Sequence, residues 1–456
     1  MKKIILVLLL AILVYALSYA WRALPIITGY NAKMMCSCTM LASRSPESVM
    51  NDELSRFPLS LASPEVNFND STVSCSVWGL ASKKAVYKKG LGCTLLNGIT
   101  EKEFRNQQKT VATPSSLNRD TIPWPMGDLM PDSLPPTIDY EALQQIVNSA
   151  FDEPGPKRLR RTRAILVVYD GSIVAEKYAD GFDKNSRLIG WSMTKSIINA
   201  LVGILVKEGK LALDAPAPIP FWQQDERSKI TLSNLLHASS GLRWEEDYSA
   251  PSGATNMLFK EKDMGLYAAH CPAQYPPETV FYYSGGTTNI LSWIVRQAVG
   301  EENYYRFPSE ELFQKLGIRS MVIEPDAGGT FVGSSYSFAT ARDWARFGLL
   351  YLYDGNWYGE QLLPDDWVHY TTTPAPAAPR GEYGAQFWLN AGAKEDPANR
   401  YYPDAPTDLY WADGFEGQNV FILPSRKLVI VKLSMSHGDY LDDNAFLKEV
   451  IRCVGG

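Results

Sequence analysis

The chain has 456 residues, 45% of them hydrophobic and 21% charged, with a net charge of −6. That is globular composition, with length for two or three domains and a large buried core, which excludes wholesale disorder. No Lys/Arg block interrupts the acidic balance, four histidines stand at no metal-ligand spacing, and there is neither a Cys-x-x-Cys nor a glycine-rich phosphate loop, so no nucleic-acid partner, metal site or cofactor is expected.

The N-terminus pairs Lys2-Lys3 with an apolar run over residues 4–21, at the lower edge of a membrane-spanning helix. The two charges would stay in the cytoplasm and the rest of the chain would cross. The run is long for a signal-peptide core, which favours a retained anchor over cleavage after Ser18-Tyr19-Ala20. The expected location is therefore periplasmic or membrane-anchored, with the membrane touched through residues 1–24 only. Export gives the six cysteines a meaning: a disulfide is expected within the group Cys36, Cys38, Cys75 and Cys93, its connectivity open.

Residues 25–112 read as a small strand-rich module, with strands near 71–78 and 85–96. Residues 113–137 are proline-rich and aperiodic, a linker or a strap lying on the next domain. The domain from 138 to 456 opens with a helix over 140–151. Two apolar strands follow, 163–169 and 172–178, joined by the turn dipeptide Asp170-Gly171. Its far end mirrors this: strands over 418–423 and 428–433 flank Pro424-Ser425-Arg426, and a helix covers 442–454. One antiparallel sheet built from both termini is expected, with a helical middle over about 190–380.

Chemistry concentrates at Trp191-Ser192-Met193-Thr194-Lys195-Ser196, which opens a helix running to about residue 207. Ser192 and Lys195 stand at i and i+3, on one helix face. A serine hydroxyl is a poor nucleophile until a neighbouring base takes its proton, and a lysine is that base only when burial lowers its pKa. The helix N-terminus adds N–H groups that favour an oxyanion. This is the sole Ser-x-x-Lys in the chain, and no Gly-x-Ser-x-Gly elbow exists for a Ser-His-Asp alternative.

These residues resemble the nucleophile motif of the serine β-lactamase and penicillin-binding-protein-like superfamily. Ile230-Thr231-Leu232-Ser233-Asn234-Leu235-Leu236 with Ser239-Ser240-Gly241-Leu242, and Phe281-Tyr282-Tyr283-Ser284 read as a strand end, resemble its next segments. Residues 339–348 and 357–368 resemble the branch containing 6-aminohexanoate-dimer hydrolases and carboxylesterases. The resemblance implies an α/β (α+β) β-lactamase/transpeptidase-like fold, an antiparallel sheet flanked by helices plus an all-helical subdomain. It implies Ser192 as acylated nucleophile, Lys195 as general base and Tyr283, or less directly Tyr282, as proton relay. The second oxyanion N–H would come from an edge strand before Phe421, where Trp411-Ala412-Asp413-Gly414 stands; Gly414 and Gly417 would let backbone approach the substrate. Asp247, in the acidic run Glu245-Glu246-Asp247, would meet a substrate amine. His237 reads as a packed helix residue and His437 as loop or rim.

Two family features are missing: no Tyr-x-Asn exists in the chain, and no Lys-Thr-Gly or His-Thr-Gly. Their absence favours an exported hydrolase of small-molecule esters or linear amides. The alternatives are β-lactamase or D,D-peptidase activity, or a non-catalytic binding protein on the same fold.

Overall fold

A computed structural model describes residues 1–107, 109–112, 118–155, 158–436 and 440–454, so His437 lies outside the described residues. The chain forms two compact units. One takes in residues 1–108, 244–268 and 324–330; the other takes in 109–243, 269–323 and 331–456. The sequence reading placed 244–268 and 324–330 within the 138–456 domain; in the structure these two excursions fold with the N-terminal module.

In that first unit the N-terminal helix Lys2–Cys36 does not stop at residue 24 but runs on through Pro25 and continues as a π-turn, Ser37–Leu41. Its apolar first part is exposed, and from Ile27 it becomes core. By its length and an 18-residue stretch of mean hydropathy 2.5, the helix is compatible with a signal or a membrane anchor. The buried part packs on a four-stranded antiparallel meander, Ser63–Asn67, Thr72–Val77, Leu80–Lys88 and Gly92–Leu95. The single strand expected over 85–96 is thus two strands. Gly90 and Gly92 take φ of +83° and +73°, where side chains other than glycine's are strained, and they turn the chain back on itself.

A polar cluster sits inside this apolar packing. Lys33 is ion-paired with Glu324 and donates to Ser37 Oγ at 2.9 Å. Ser37 Oγ lies 2.8 Å from Glu324 Oε2, and the Cys93 N–H donates to Glu324 Oε1 at 2.6 Å. The expected disulfide is absent: all six cysteines are thiols. Cys36 and Cys93 meet as a hydrogen-bonded thiol pair, and burial, then Cys36 and Glu324, push the Cys93 thiol well above the usual range. Disulfide exchange needs a thiolate, which this environment opposes.

The second unit is built on a six-stranded antiparallel sheet. Its order is Trp388–Leu389, Tyr410–Gly414, Gln418–Leu423, Leu428–Ser434, Thr162–Tyr169, Ser172–Tyr178. The two terminal hairpins join where Val431 opposes Leu166. Asp170 and Gly171 both take positive φ, +46° and +79°, in the tight turn their dipeptide announces. One face carries Ile165, Val167, Phe421 and Ile430, buried under the helices Tyr140–Ser149 and Asp443–Cys453. The other face packs on helix Ala341–Leu352, where Gly348 permits the approach: a Cβ there would meet Val429 Cγ1 at 2.6 Å. The described part of the proline-rich segment, residues 118–137, lies across this unit as a strap. Arg119 pairs with Asp128 and Asp343, and Arg346 stacks over Trp124 with 4.4 Å to the ring centroid.

Candidate active site

The nucleophile candidate is presented by a clamped turn. Strand Leu188–Ile189 pairs with Ser337–Ala339, and the Gly190 N–H donates to Ser337 O at 2.7 Å. Trp191 then takes φ +47°, a conformation that costs a bulky residue energy and is kept only where surroundings enforce it. Thr194 Oγ1 enforces it, donating to Trp191 O at 2.6 Å while lying 2.7 Å from Ser337 Oγ. The turn Trp191–Met193 runs directly into helix Thr194–Lys207.

That helix carries Lys195 on the face of Ser192. Lys195 is 2% exposed; its Nζ donates to Ser192 Oγ at 2.8 Å and to Ser334 O at 2.9 Å. Ser334 is gripped in turn by the buried Asn289, whose Oδ1 accepts from the Ser334 N–H and whose Nδ2 donates to Ser334 Oγ, both at 3.1 Å. Gly333 lets this loop reach the helix, since a Cβ there would come within 2.6 Å of Ile198 Cγ1.

Lys195 Nζ stands 4.8 Å from the centroid of the Tyr283 ring. Residues 281–283 are a loop, not the strand end expected; Tyr283 sits just ahead of helix Gly285–Val299, whose N-cap is Ser284. An aromatic wall fixes its ring, with Trp388 at 5.3 Å and Tyr383 at 5.9 Å between centroids, and Phe281 behind Tyr383. Tyr282 is exposed, its N–H donating to Ala238 O.

Strand Tyr410–Gly414 passes against the nucleophile turn. It is not an edge strand, because Trp388–Leu389 pairs outside it. Gly414 is needed for closeness to Gly190: a Cβ would stand 2.3 Å from Gly190 O. Gly417, at φ +86°, closes the following turn over Ser434 Oγ, which a Cβ would meet at 2.4 Å. Strand alternation turns Asp413 away from Gly414, toward Asn419. Asp247 belongs to the other unit, where its Oδ1 accepts from the N–H and the Oγ of Ser249, and these bonds hold its carboxyl below the usual range. The structure thus brings Ser192, Lys195, Tyr283 and Gly414 into one neighbourhood. Sequence reasoning missed Asn289, Ser334 and Trp388, which carry no motif; a buried polar residue six positions after Tyr283 was the one available signal.

His237 is a packed residue at the end of helix Leu232–Leu236, its ring 5.1 Å from that of Tyr370. Burial pushes its pKa down to about 4. The folded state therefore favours the neutral ring, and the stability this contributes is complete above about pH 6.5 and is lost as pH falls toward 4. We expect about 2 kcal/mol to be lost between pH 7 and pH 5 from this group alone, and His237→Gln to flatten that limb of the pH–stability curve. An unchanged slope in denaturant melts of the variant would refute it.

A model of the beta-lactamase family matches residues 147–451. The 6-aminohexanoate-dimer hydrolase of Paenarthrobacter ureafaciens is 25% identical over 299 residues, 60% of this chain and 72% of that protein. Among solved structures, a penicillin-binding protein homolog from Caulobacter crescentus aligns with a TM-score of 0.54 at 17% identity, covering 70% of this chain and 97% of the other. A family VIII carboxylesterase aligns with a TM-score of 0.53 at 13% identity, covering 70% and 98%. At these identities the structural likeness speaks to the fold alone.

Proposed function

Because the chain belongs to the beta-lactamase family of serine hydrolases, we propose that it cleaves small-molecule esters or linear amides through an acyl-enzyme on Ser192. The observation that carries this reading is the 2.8 Å contact between Lys195 Nζ and Ser192 Oγ, with the Tyr283 ring beside the amine. Lys195 as free base takes the Ser192 proton while Oγ attacks the acyl carbon. The charge that develops on the carbonyl oxygen meets the Ser192 N–H and an N–H from the end of strand Tyr410–Gly414. Tyr283 passes a proton to the departing alcohol or amine, and water then releases the acid. Asn289 acts through Ser334: by fixing the carbonyl that accepts from Nζ, it holds the amine beside Ser192. The helix Lys2–Cys36 supports export with a retained anchor, because its apolar half continues without a break into the core of the first unit.

The substrate class follows from the family groups that are missing. A β-lactam needs side chains placed for its ring carboxylate and side-chain amide. Here Gly285 stands where the second motif's asparagine would be, and Ala412 precedes Asp413-Gly414 where a lysine would be. The wall of Tyr283, Tyr383 and Trp388 favours an apolar acyl or leaving group instead. We expect ready hydrolysis of short-chain p-nitrophenyl esters and negligible turnover of nitrocefin. The comparison of kcat/KM for the two on one preparation tests this; a ratio favouring nitrocefin would restore the β-lactamase reading.

A further inference from the structure

We propose that the first unit docks on the bilayer through the end of its sheet nearest the helix exit, placing Phe57, Trp78 and Leu80 at headgroup depth. The proposal rests on the membrane-anchor reading of the N-terminal helix. Residues 2–21 at 1.5 Å per residue span about 30 Å, the thickness of a bilayer's hydrocarbon core. Trp21, 82% exposed, closes that span where interfacial tryptophans sit, with Arg22 just beyond it. No flexible linker follows. The same helix is buried in the unit from Ile27, six residues and about 9 Å further on. A rigid arm that short holds the unit against the headgroups.

The register between helix and sheet decides which end faces the lipid. Ala81 O accepts from Thr28 Oγ1 at 2.6 Å. Leu95, opposite Ala85, meets the helix at Gly29, and Cys93, opposite Tyr87, shares Glu324 with Ser37. Climbing the strand from Ala81 to Lys88 is therefore climbing the helix away from the exit, and the Trp78-Gly79 turn lies at the exit end. The segment before the first strand is there too, since Ser63 opposes Ser76 and Leu59 O accepts from Asn31 Nδ2 at 3.2 Å. At this end Trp78 and Phe57 are each 80% exposed and Leu80 is 58% exposed. Single apolar residues on a surface need no account, but three at the tips facing the exit of an apolar helix have the chemistry of an interface belt. Charge agrees: Lys260, in the excursion folded into this unit, lies close enough to Arg22 for the two cations to repel. An anionic headgroup relieves such a pair.

The test uses the full chain in vesicles of zwitterionic and anionic phospholipid at about 3:1, the mixture that presents the negative surface invoked. An environment-sensitive fluorophore is placed at one engineered thiol at a time in a Cys271→Ser background, the remaining native thiols being buried. Leu10→Cys reports the anchor, Trp78→Cys and Phe57→Cys the docking, and Asp70→Cys, in the turn at the opposite end of the sheet, the unbound reference. We expect quenching at position 10 by lipids spin-labelled deep in the chains. Positions 78 and 57 should lose about half their fluorescence to lipids labelled near the headgroup, while position 70 is unaffected. Positions 78 and 57 behaving like position 70 while position 10 is quenched would overturn the docking and leave the anchor standing. No quenching at position 10 would overturn the anchor itself. A blue shift at position 78 that follows protein concentration rather than lipid would assign the surface to a second copy, and would also overturn the proposal.

Discussion

Ser192→Ala should lower kcat/KM on esters by at least ~10⁴-fold, the scale on which serine hydrolases lose activity with their nucleophile. The substitution removes one oxygen at a helix start whose shape is set elsewhere, by Gly190 against Trp344 and by Thr194 across to Ser337. Lys195 keeps its bond to Ser334 O, so the amine is not stranded. The circular dichroism spectrum and melting temperature should be those of the parent. Lys195→Ala should cost nearly as much, and the double variant little more than either, because base and nucleophile act as one unit. A fluorophosphonate probe gives the independent readout: it should label the parent at Ser192 and leave Ser192→Ala unlabelled. Activity of the Ser192→Ala protein within tenfold of the parent would remove the acyl-enzyme mechanism altogether.

Glu324→Gln should open the first unit. Lys33 and Glu324 are 2% and 0% exposed, so neither charge is solvated and each depends on the other. Burial pushes the Glu324 carboxyl up, against the pull of Lys33, the Cys93 N–H and Ser37. Replacing a buried ion pair with apolar groups is often tolerated, whereas removing one partner leaves an uncompensated charge and costs about 3–5 kcal/mol. The carboxamide introduced by Glu324→Gln would still accept from Ser37 and Cys93 but would leave the Lys33 ammonium unneutralised. Cys36 and Cys93 report the result, since both thiols are fully buried beside the pair. Their maleimide labelling, read by mass spectrometry, should accelerate by about 10²-fold or more, as a shift of that size in the opening equilibrium requires. Lys33→Met combined with Glu324→Gln should recover most of the protection. Labelling of the single variant at the parental rate would show that the pair contributes nothing to the unit's stability.

Several features were legible in the residues alone because their causes are local or periodic. Asp170-Gly171 announces its turn, since few residues but glycine and asparagine or aspartate take positive φ cheaply. The apolar strands on both sides of that turn and of Pro424-Ser425-Arg426 pointed to one sheet from both termini, and the sheet has that order. Ser192 and Lys195 are one helical turn apart, so 3.6-residue periodicity already brings amine and hydroxyl onto one face, and they stand in contact. Tyr283 was found through a family pattern, and its loop conformation differs from the strand end that pattern suggested.

Only the tertiary structure could decide what depends on residues far apart in the chain. Asn289 grips Ser334 across 45 positions, and Ser334 reaches Lys195 across another 139, so no local spacing encodes the pair. Gly414 is needed because strand and nucleophile turn meet backbone to backbone, a contact between residues 190 and 414 that exists only once the sheet is assembled. The N-terminal helix reads from sequence as an apolar run ending near residue 21. Its continuation to Cys36 comes from burial against a sheet and two excursions of the later chain, because tertiary packing supplies most of a helix's stability where its own periodicity fades. Glu324 shows the same limit: one glutamate among the chain's acidic residues, it becomes the partner of Lys33 through a fold that joins positions 291 residues apart.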